Sequence, residues 1–449
     1  MRSSLPKPLH AVCGRPMIAW PILAAEAAGA ARIAVIVSPG RDISSALPTA
    51  VETVEQPEPD GTGGAVRAAE SFIRGAETVL VLSGDHPLIT SELISELLAT
   101  HEEAGAGATV MTAELDEPGS YGRIVRGDDG DIEQIVEAKQ PGDATPEQLT
   151  IREINTGTYA FAATALVEAL GQISNENSQG EYFLGDVLPI IRAAGHRVAA
   201  HLTADPMVNL GVNTRAELAI VERTARERIL DHHMRDGVTI TDPGSTWIDA
   251  DVELEADARI EPGTTIQGAS SVGADSVVGP HTTLINSRLG REVKVPHSYL
   301  TDCDVLDRCT VGPFAYIRPG TKLREGAKAG TFVEIKNSDV GAGSKVPHLS
   351  YIGDTEIGED SNIGAGAITA NYDGYLKHRT VIGDRVQIGV DTALVAPVDV
   401  GDAAYTGAGS VITKNVPPGA LGISRAQQRK IEGYAERRAR EASEEGEES

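Results

Sequence analysis

The sequence predicts an α/β domain built on a mainly parallel sheet, followed by a left-handed parallel β-helix. Three observations predict it. Up to about residue 230 short apolar runs alternate with helical patterns. Past residue 237 the helical period stops and an aliphatic residue recurs at every sixth position. Composition agrees, since 48 glycines with only 4% aromatics suit a tightly wound repeat better than an aromatic-rich core. At 449 residues the chain is also too long for one ordinary core.

Taken in order, "MRSSLPKPLHAVCGRPMI" precedes any regular element, and Lys7 is its first basic residue that looks placed rather than incidental. "MIAWPILAAEAAGA" reads as a helix, "RIAVIVS" as a buried strand and "VETVEQ" as a short strand. "GGAVRAAESFIRGA" is a helix, and "TVLVLSGDHPLI" is a strand running into a loop. "SELISELLATHEEAG" is a helix with Ser91 as its N-cap, followed by the strand "GATVMTAEL". Strands separated by helices imply βαβ units, with ligands at the carboxyl ends of the strands. "TRAELAIVERTARERILDHHMRDG" is one long connecting helix.

The six-residue period then runs through Ile248, Leu254, Ile260, Ile266, Val272, Val278 and Leu284. It resumes at Val311, Ile317 and Leu323, at Val340, Val346 and Ile352, and at Ile382, Ile388, Leu394 and Val400. One inward side chain per six residues, with a small residue at the corner, makes a short flat strand; three strands make one triangular coil. Roughly nine coils are expected, each ~4.8 Å above the last. "SRLGREVKVPHSYL" near 287–300 and "NYDGYLKHRT" at 371–380 interrupt the period and read as loops thrown out from the prism. The closing "ERRAREASEEGEES" reads as weakly helical and frayed. The domains expected are therefore 1–213, a linker helix 214–236, a β-helix 237–423 and a partly disordered tail 424–449.

Charge and cysteine content narrow the function. A net charge of −26 argues against nucleic-acid binding, which needs a basic face, but leaves room for small anionic substrates. Three cysteines, Cys13, Cys303 and Cys309, make no disulfide framework and fit a reducing, cytoplasmic setting. No signal peptide and no apolar run near the length of a membrane span is present, so no membrane partner is expected.

In the first half stand "SSLPKPLHAVCGRPMI", "GTGGAV", "SGDHPLI", "YGRIV", "EINTGTYAF" and "GVNTR"; in the second, "FAYIRPGT", "FVEIKNS", "VPHLSYIGD", "NIGAGAITANYDG" and "APV". In that order the set resembles the bacterial bifunctional N-acetylglucosamine-1-phosphate uridylyltransferase and glucosamine-1-phosphate N-acetyltransferase family. The resemblance implies a Rossmann-like nucleotidyltransferase domain joined to an acetyltransferase solenoid. It also implies a first strand and a glycine-rich phosphate loop immediately before the position of Met1. "PILAAEAAG" at 21–29 follows the lysine motif and reads as helix, so it is no substitute. Either that segment belongs ahead of Met1 in the complete protein, or the first activity is crippled.

For uridylyl transfer the resemblance assigns Lys7 to the phosphates and Gln56, Gly61 and Thr62 to uracil, the glycine admitting close backbone approach. Ser83, Gly84 and Asp85 belong to the nucleotide loop, and Asp85 and Asn213 offer oxygen ligands to Mg²⁺. Gly122, Glu137 and Asn155 would hold the acetylated sugar. For acetyl transfer His348 is the expected base, with Arg318, Lys336, Tyr351, Asn362 and Lys377 on the sugar phosphate. Positions 318 and 336 differ by eighteen, as do 333 and 351, which stacks each pair one coil apart. Two stacked cations are costly unless an anion sits between them, so they read as a phosphate clamp. Asn371 and Tyr372 would meet the acetyl-CoA thioester, with Ala408 and Arg425 further along the cofactor. Val390 stands where the family usually has serine, which removes a hydroxyl contact. A prism with such faces and loops, like the family's trimers, is expected to be a homotrimer with sites between subunits. The substrates implied are UTP, acetyl-CoA and phosphosugars. The rival readings are an acetyltransferase alone and a non-catalytic solenoid scaffold.

Overall fold

In the computed structural model the described residues are 1–40, 43, 46–47, 51–177 and 179–447, and the chain divides into two compact units, Met1–Asp231 and His232–Ser449.

In the first unit the expected elements form at Ala19–Ala27, Ala34–Val37, Glu52–Glu55, Thr78–Val81, Ser91–Ala104, Ala108–Glu114 and Arg215–Arg235. Two local expectations change. Thr90, not Ser91, caps the helix: its side chain accepts the Leu93 N–H while its own backbone stays extended, leaving Ser91 as the first helical residue. The helix after "GTGG" breaks at Ala69 into Thr62–Ala68 and Glu70–Ile73. The sheet is mixed rather than mainly parallel. Val198–Leu202 runs parallel to Ala108–Glu114, and the latter pairs antiparallel with the ten-residue strand Glu153–Ala162. The opposite edge of that strand is shared by Thr78–Val81 and Arg123–Arg126, both antiparallel to it, and Ile132–Val136 closes a hairpin on the latter. The cause lies in the connections: between residues 114 and 153 the one helix, Pro146–Leu149, has four residues, too few for a parallel crossover.

Side-chain alternation along Glu153–Ala162 divides the core. Tyr159 and Phe161 join Leu166, Leu170, Leu188 and Ile191 on one face, while Ala160 joins Ile94, Leu97 and Met111 on the other. Ala34–Val37 and Glu52–Glu55 form a separate two-stranded parallel sheet. Ile36 and Val54 pack on the same core as Val79 and Val81, yet among the described strands the two sheets do not pair.

The second unit is a parallel β-helix of three sheets. The first face starts at Thr239–Ile240, the second at Trp247–Ile248 and the third at Glu253–Leu254; they hold eleven, ten and nine strands. Nine complete coils result, as the period implies. Inside, Ile260, Ile266, Val278, Leu284, Val311, Ile317, Leu323, Val340, Val346 and Ile352 are all fully buried. Corner hydroxyls are buried too, and most donate to a backbone carbonyl, as Thr282 does to Val295 (2.7 Å) and Ser344 to Gly358 (2.6 Å). A small polar residue therefore both fits the corner and satisfies it.

The first interruption is not a loop. Leu289, Val295, Leu300 and Val305 continue the buried column without a break. The corners at Asn286, His297 and Asp302 have lost one residue each, and these three turn the chain with positive φ of 47°, 46° and 45°. Deleting a corner residue shifts the count but keeps the side chain facing inward. The second interruption is a true extrusion: Ile368–Ala370 and Thr380–Ile382 are successive strands of the prism with residues 371–379 between them. The tail carries a helix, Tyr434–Glu447, and residues 448–449 lie outside the described residues. The three cysteines are free and buried, and among the described residues no helix is long and apolar enough to cross a membrane.

Candidate active sites

In the first unit three of the expected residues converge. Lys7 Nζ donates to Asp85 Oδ2 (2.6 Å) and to Asn213 Oδ1 (2.7 Å). Lys7 opens a short 3₁₀ turn, Asp85 follows the strand Thr78–Val81, and Asn213 precedes the long helix Arg215–Arg235. Asn213 is fixed by a capping box: Glu217 Oε2 accepts the N–H groups of Asn213 and Thr214 (both 2.7 Å), and Thr214 Oγ1 accepts the Glu217 N–H. The spacing "TRAE" carries that signal, and it was missed. Two hard oxygens meeting on one cationic atom suit a divalent ion that fills its remaining positions with water or phosphate. Asp85 and Asn213 thus fit Mg²⁺, provided Lys7 yields the point between them.

His86 was also missed. Its ring lies 3.7 Å from Asp85, its Nδ1 is buried without a hydrogen-bond partner, and a side chain on Gly211 would press within 2.7 Å of its Nε2. Burial pushes its pKa down, against the pull of Asp85.

The uracil residues form a second group. Gln56 Nε2 donates to Asp60 Oδ1 (2.8 Å) and to the Gly61 carbonyl (3.2 Å). Gly61 has φ +103°, and a Cβ there would lie 2.5 Å from the Tyr182 carbonyl. The positive φ and the close approach to the chain's own loop both favour glycine at this position. Thr62 Oγ1 accepts the Leu184 N–H (3.0 Å), tying the same two loops together.

The sugar residues form a third group. Asn155 N–H donates to the Gly122 carbonyl (2.9 Å), its Nδ2 donates to Tyr159 Oη (2.7 Å), and its Oδ1 accepts the Gly157 N–H (2.9 Å). Glu137 pairs with Lys139 at 3.1 Å. Ser83 Oγ donates to the Gly157 carbonyl (3.4 Å), joining the nucleotide loop to this turn, and Gly84 leaves room for Ile18.

In the second unit a cationic cluster gathers where the second face turns into the third. Ile317 pairs with Ile335, so Arg318 and Lys336 are neighbours on successive coils, as their spacing implies. Tyr351, however, stacks on Glu334 and not on residue 333, because the corner at Asn337 has lost a residue. The cations are also not uncompensated. Arg318 Nη1 donates to Glu334 Oε1 (2.7 Å), and Lys336 Nζ lies 3.5 Å from Asp354 Oδ2. Asp354 further accepts from Asn337 Nδ2 (2.7 Å) and from Asn371 Nδ2. Burial works against its charge, but those two donors and Lys336 hold its carboxyl below the usual range. The neighbouring Lys336 pushes the pKa of Lys377, from the extruded loop, below the ordinary lysine range. The Tyr351 hydroxyl reaches over Gly353, where a Cβ would lie 2.5 Å from it.

The loop is held from within. Tyr372 and Lys377 form an antiparallel bridge. Asp373 Oδ1 accepts the N–H groups of Tyr375 (2.8 Å) and Leu376 (2.7 Å), and His378 Nε2 meets Asp373 Oδ2 at 2.7 Å. Tyr372 Oη donates to the Gly374 carbonyl (2.6 Å).

His348 is not part of the cation cluster within one chain. It ends the first-face strand Lys345–His348, at the other edge of the second face, with its side chain exposed. Corner hydrogen bonds run up that edge from His348 to Ala365, Val390 and Ala408, through the N–H groups of Gly366, Asp391 and Gly409. Arg425 Nη1 caps the column on the Ala408 carbonyl (2.8 Å). His348, Val390, Ala408 and Arg425 therefore share one edge, while Arg318 and Lys336 lie at the other with the expected cofactor residues Asn371 and Tyr372. Asn362 lies on the first face opposite Lys345.

The family model for nucleotidyl transferases matches residues 2–249, and that for the hexapeptide repeat of succinyl-transferase matches 379–414. Bifunctional protein GlmU of Streptomyces avermitilis is 46% identical over 445 residues, 98% of this chain and 92% of its own. Those of Pseudarthrobacter chlorophenolicus and Desulfitobacterium hafniense are 47% and 44% identical, over 97% of this chain and 89% and 95% of theirs. The chain belongs to the GlmU family. As a GlmU chain it is a bifunctional transferase, with a nucleotidyltransferase half and an acetyltransferase half, and the scaffold reading falls away.

Proposed function

We propose that the second unit acetylates glucosamine 1-phosphate from acetyl-CoA and that the first unit then transfers uridylyl from UTP to the N-acetylglucosamine 1-phosphate so made. The gathering of Arg318, Lys336, Tyr351 and Lys377 at one corner of the prism carries the reading. These cations hold the phosphate while Glu334 and Asp354 keep two of them oriented before substrate arrives. His348 takes the proton from the amine as it attacks the thioester, and Asn371 and Tyr372 receive the acyl end. Asn362 completes the sugar contacts, and Ala408 and Arg425 those to the cofactor.

In the first unit Lys7 steers the triphosphate, Gln56, Gly61 and Thr62 hold the base, and Gly122, Glu137 and Asn155 hold the sugar. Asp85 and Asn213 would hold Mg²⁺, which neutralises phosphate charge when bound. Division of labour follows 1–213 for uridylyl transfer and 237–423 for acetyl transfer, joined by 214–236, in a cytoplasmic protein.

The acetyl-transfer site is completed between chains of a homotrimer, the cation edge of one meeting the His348 edge of another. Supporting this, an aromatic ladder climbs the His348 edge: His297, Phe314 and Phe332 stack with ring centroids 5.6 and 5.3 Å apart. Phe314, Phe332 and Leu349 are 55%, 59% and 62% exposed, too much apolar surface for a lone prism to leave in water. The decisive experiment measures CoA release and pyrophosphate release separately on the purified full chain. CoA release must depend on glucosamine 1-phosphate, and pyrophosphate release on UTP with N-acetylglucosamine 1-phosphate. Absence of the first sinks the acetyl-transfer reading, and absence of the second the uridylyl reading.

A further inference from the structure

We propose that Asp60 commits the first site to uracil over cytosine by fixing which end of the Gln56 amide faces the base. Asp60 is thus a positioning residue, and the inference rests on the reading that places Gln56 at the base.

A glutamine amide has a donor end and an acceptor end, and by itself it favours neither toward a ligand. Here its neighbours choose. Gln56 Nε2 donates to Asp60 Oδ1 (2.8 Å) and to the Gly61 carbonyl (3.2 Å). A carboxylate and a carbonyl only accept, so turning the amide over would set its oxygen against two others. Both Nε2 hydrogens are therefore spent on the protein. Oε1, which accepts no hydrogen bond among the described residues, is what remains for the base.

Asp60 is itself held from several sides. Its Oδ2 accepts from Arg67 Nη2 (3.1 Å), and that guanidinium lies over the Tyr182 ring, 4.2 Å from the centroid. Its backbone carbonyl accepts the Tyr182 N–H (2.7 Å), and the Tyr182 carbonyl accepts the Gly63 N–H (2.7 Å). Gly64 makes the room, since a Cβ there would collide with both carboxylate oxygens of Asp60. That glycine lies inside the helix Thr62–Ala68, where it weakens the helix relative to alanine. The Asp60 carboxylate occupies the space that an ordinary helical side chain would fill.

Uracil presents an N3–H donor, whereas cytosine presents a bare N3 lone pair beside its amino group. An acceptor aimed at that edge bonds the first and repels the second. The fixed amide of Gln56 therefore selects nucleoside triphosphates whose base carries an N–H at this position, and Asp60 does so without touching the nucleotide.

Asp60→Asn keeps the shape but gives the side chain a donor end. Arg67 has donors only and keeps the oxygen, so the new NH2 turns toward Gln56. Gln56 must then meet it with Oε1, which turns its own NH2 toward the base. Pyrophosphate release with N-acetylglucosamine 1-phosphate is measured with UTP and with CTP on one preparation of the full chain, so a partly misfolded sample lowers both and leaves their ratio alone. The UTP-to-CTP ratio of kcat/KM should fall about tenfold or more in Asp60→Asn, through KM for the nucleotide, with KM for the sugar phosphate unmoved. Asp60→Leu, which leaves only the Gly61 carbonyl to hold the amide, should lower the ratio by a smaller factor. A ratio unchanged in Asp60→Asn, or lowered no more there than in Asp60→Leu, overturns the proposal. Loss of all release in both variants overturns it too, since a residue that only sets the choice of base cannot abolish transfer. Wild-type release with UTP beside an unmoved ratio defeats this inference alone, whereas no wild-type release with UTP defeats the uridylyl reading and this inference with it.

Discussion

His348 and Asp354 test the acetyl-transfer site from its two edges. His348 has an exposed imidazole with no hydrogen-bond partner among the described residues, so its removal costs the fold little. His348→Ala should lower CoA release on the order of 10²-fold or more through loss of the base, with pyrophosphate release unchanged. Asp354 is different, because it binds three groups at once: Lys336, Asn337 and Asn371. Asp354→Asn keeps the size and loses the charge, freeing Lys336 and Asn371 to move. KM for glucosamine 1-phosphate in the CoA-release assay should rise about tenfold, the order expected for loosening charge-assisted bonds. An unchanged KM would show that Asp354 does not orient the clamp. The sign with pH follows: a carboxyl held below its usual range keeps these contacts at neutral pH and loses them only as pH falls through that lowered value. The sequence made the cations legible because they sit one full coil apart. It could not show Glu334 and Asp354 as their partners, since those contacts depend on where the corners between them shorten. His86 was hidden for another reason: its burial against Gly211 joins segments that are remote in sequence.

Among the elements, the solenoid was the most legible, because one buried aliphatic per strand is forced by geometry and repeats too often to be chance. Its irregularities were only half legible. A one-residue deletion at Asn286 or His297 and the nine-residue segment extruded after Ala370 both break a period of six, and a sequence alone does not say which break leaves the prism. What separates them is the buried column, which continues through Leu289, Val295 and Leu300 in the first case. The sheet of the first unit was misread for want of the opposite signal: Arg123–Arg126, Ile132–Val136 and Glu153–Ala162 are joined without a crossover helix and so run antiparallel. The extruded hairpin supports a prediction of its own. Asp373 accepts two backbone N–H groups and the His378 ring, and together these hold its carboxyl far below the usual range. Asp373→Ala should release the hairpin that carries Tyr372 and Lys377, lowering kcat/KM for acetyl transfer about fivefold to tenfold by misplacement alone. The melting temperature should stay put, because the loop lies outside the stacked coils. Since Asp373 and His378 act as a unit, adding His378→Ala should cost little more, and full additivity would mean that they do not.

The whole molecule poses the question that one chain leaves open, namely how residues on two edges of a prism serve one small substrate. The second face separates the exposed His348 from the half-buried Arg318–Lys336 pair. In the proposed homotrimer a neighbouring prism laid against the apolar ladder would bring a foreign cation edge to the His348 edge, and a closed ring of three would repeat that contact without leaving an unpaired ladder. Joint replacement of Phe314 and Phe332 by Asp puts like charges on successive rungs at the proposed interface. Both side chains are exposed in the single chain, so neither change disturbs the buried column. Light scattering should show the mass fall from three chains to one. CoA release should be lost with it, although no residue assigned to acetyl transfer has been altered, while pyrophosphate release persists in the first unit. A variant that stays trimeric would move the interface elsewhere. A monomer that still acetylates glucosamine 1-phosphate at the full rate would require His348 and Lys336 to meet within one chain, across a face that holds them apart.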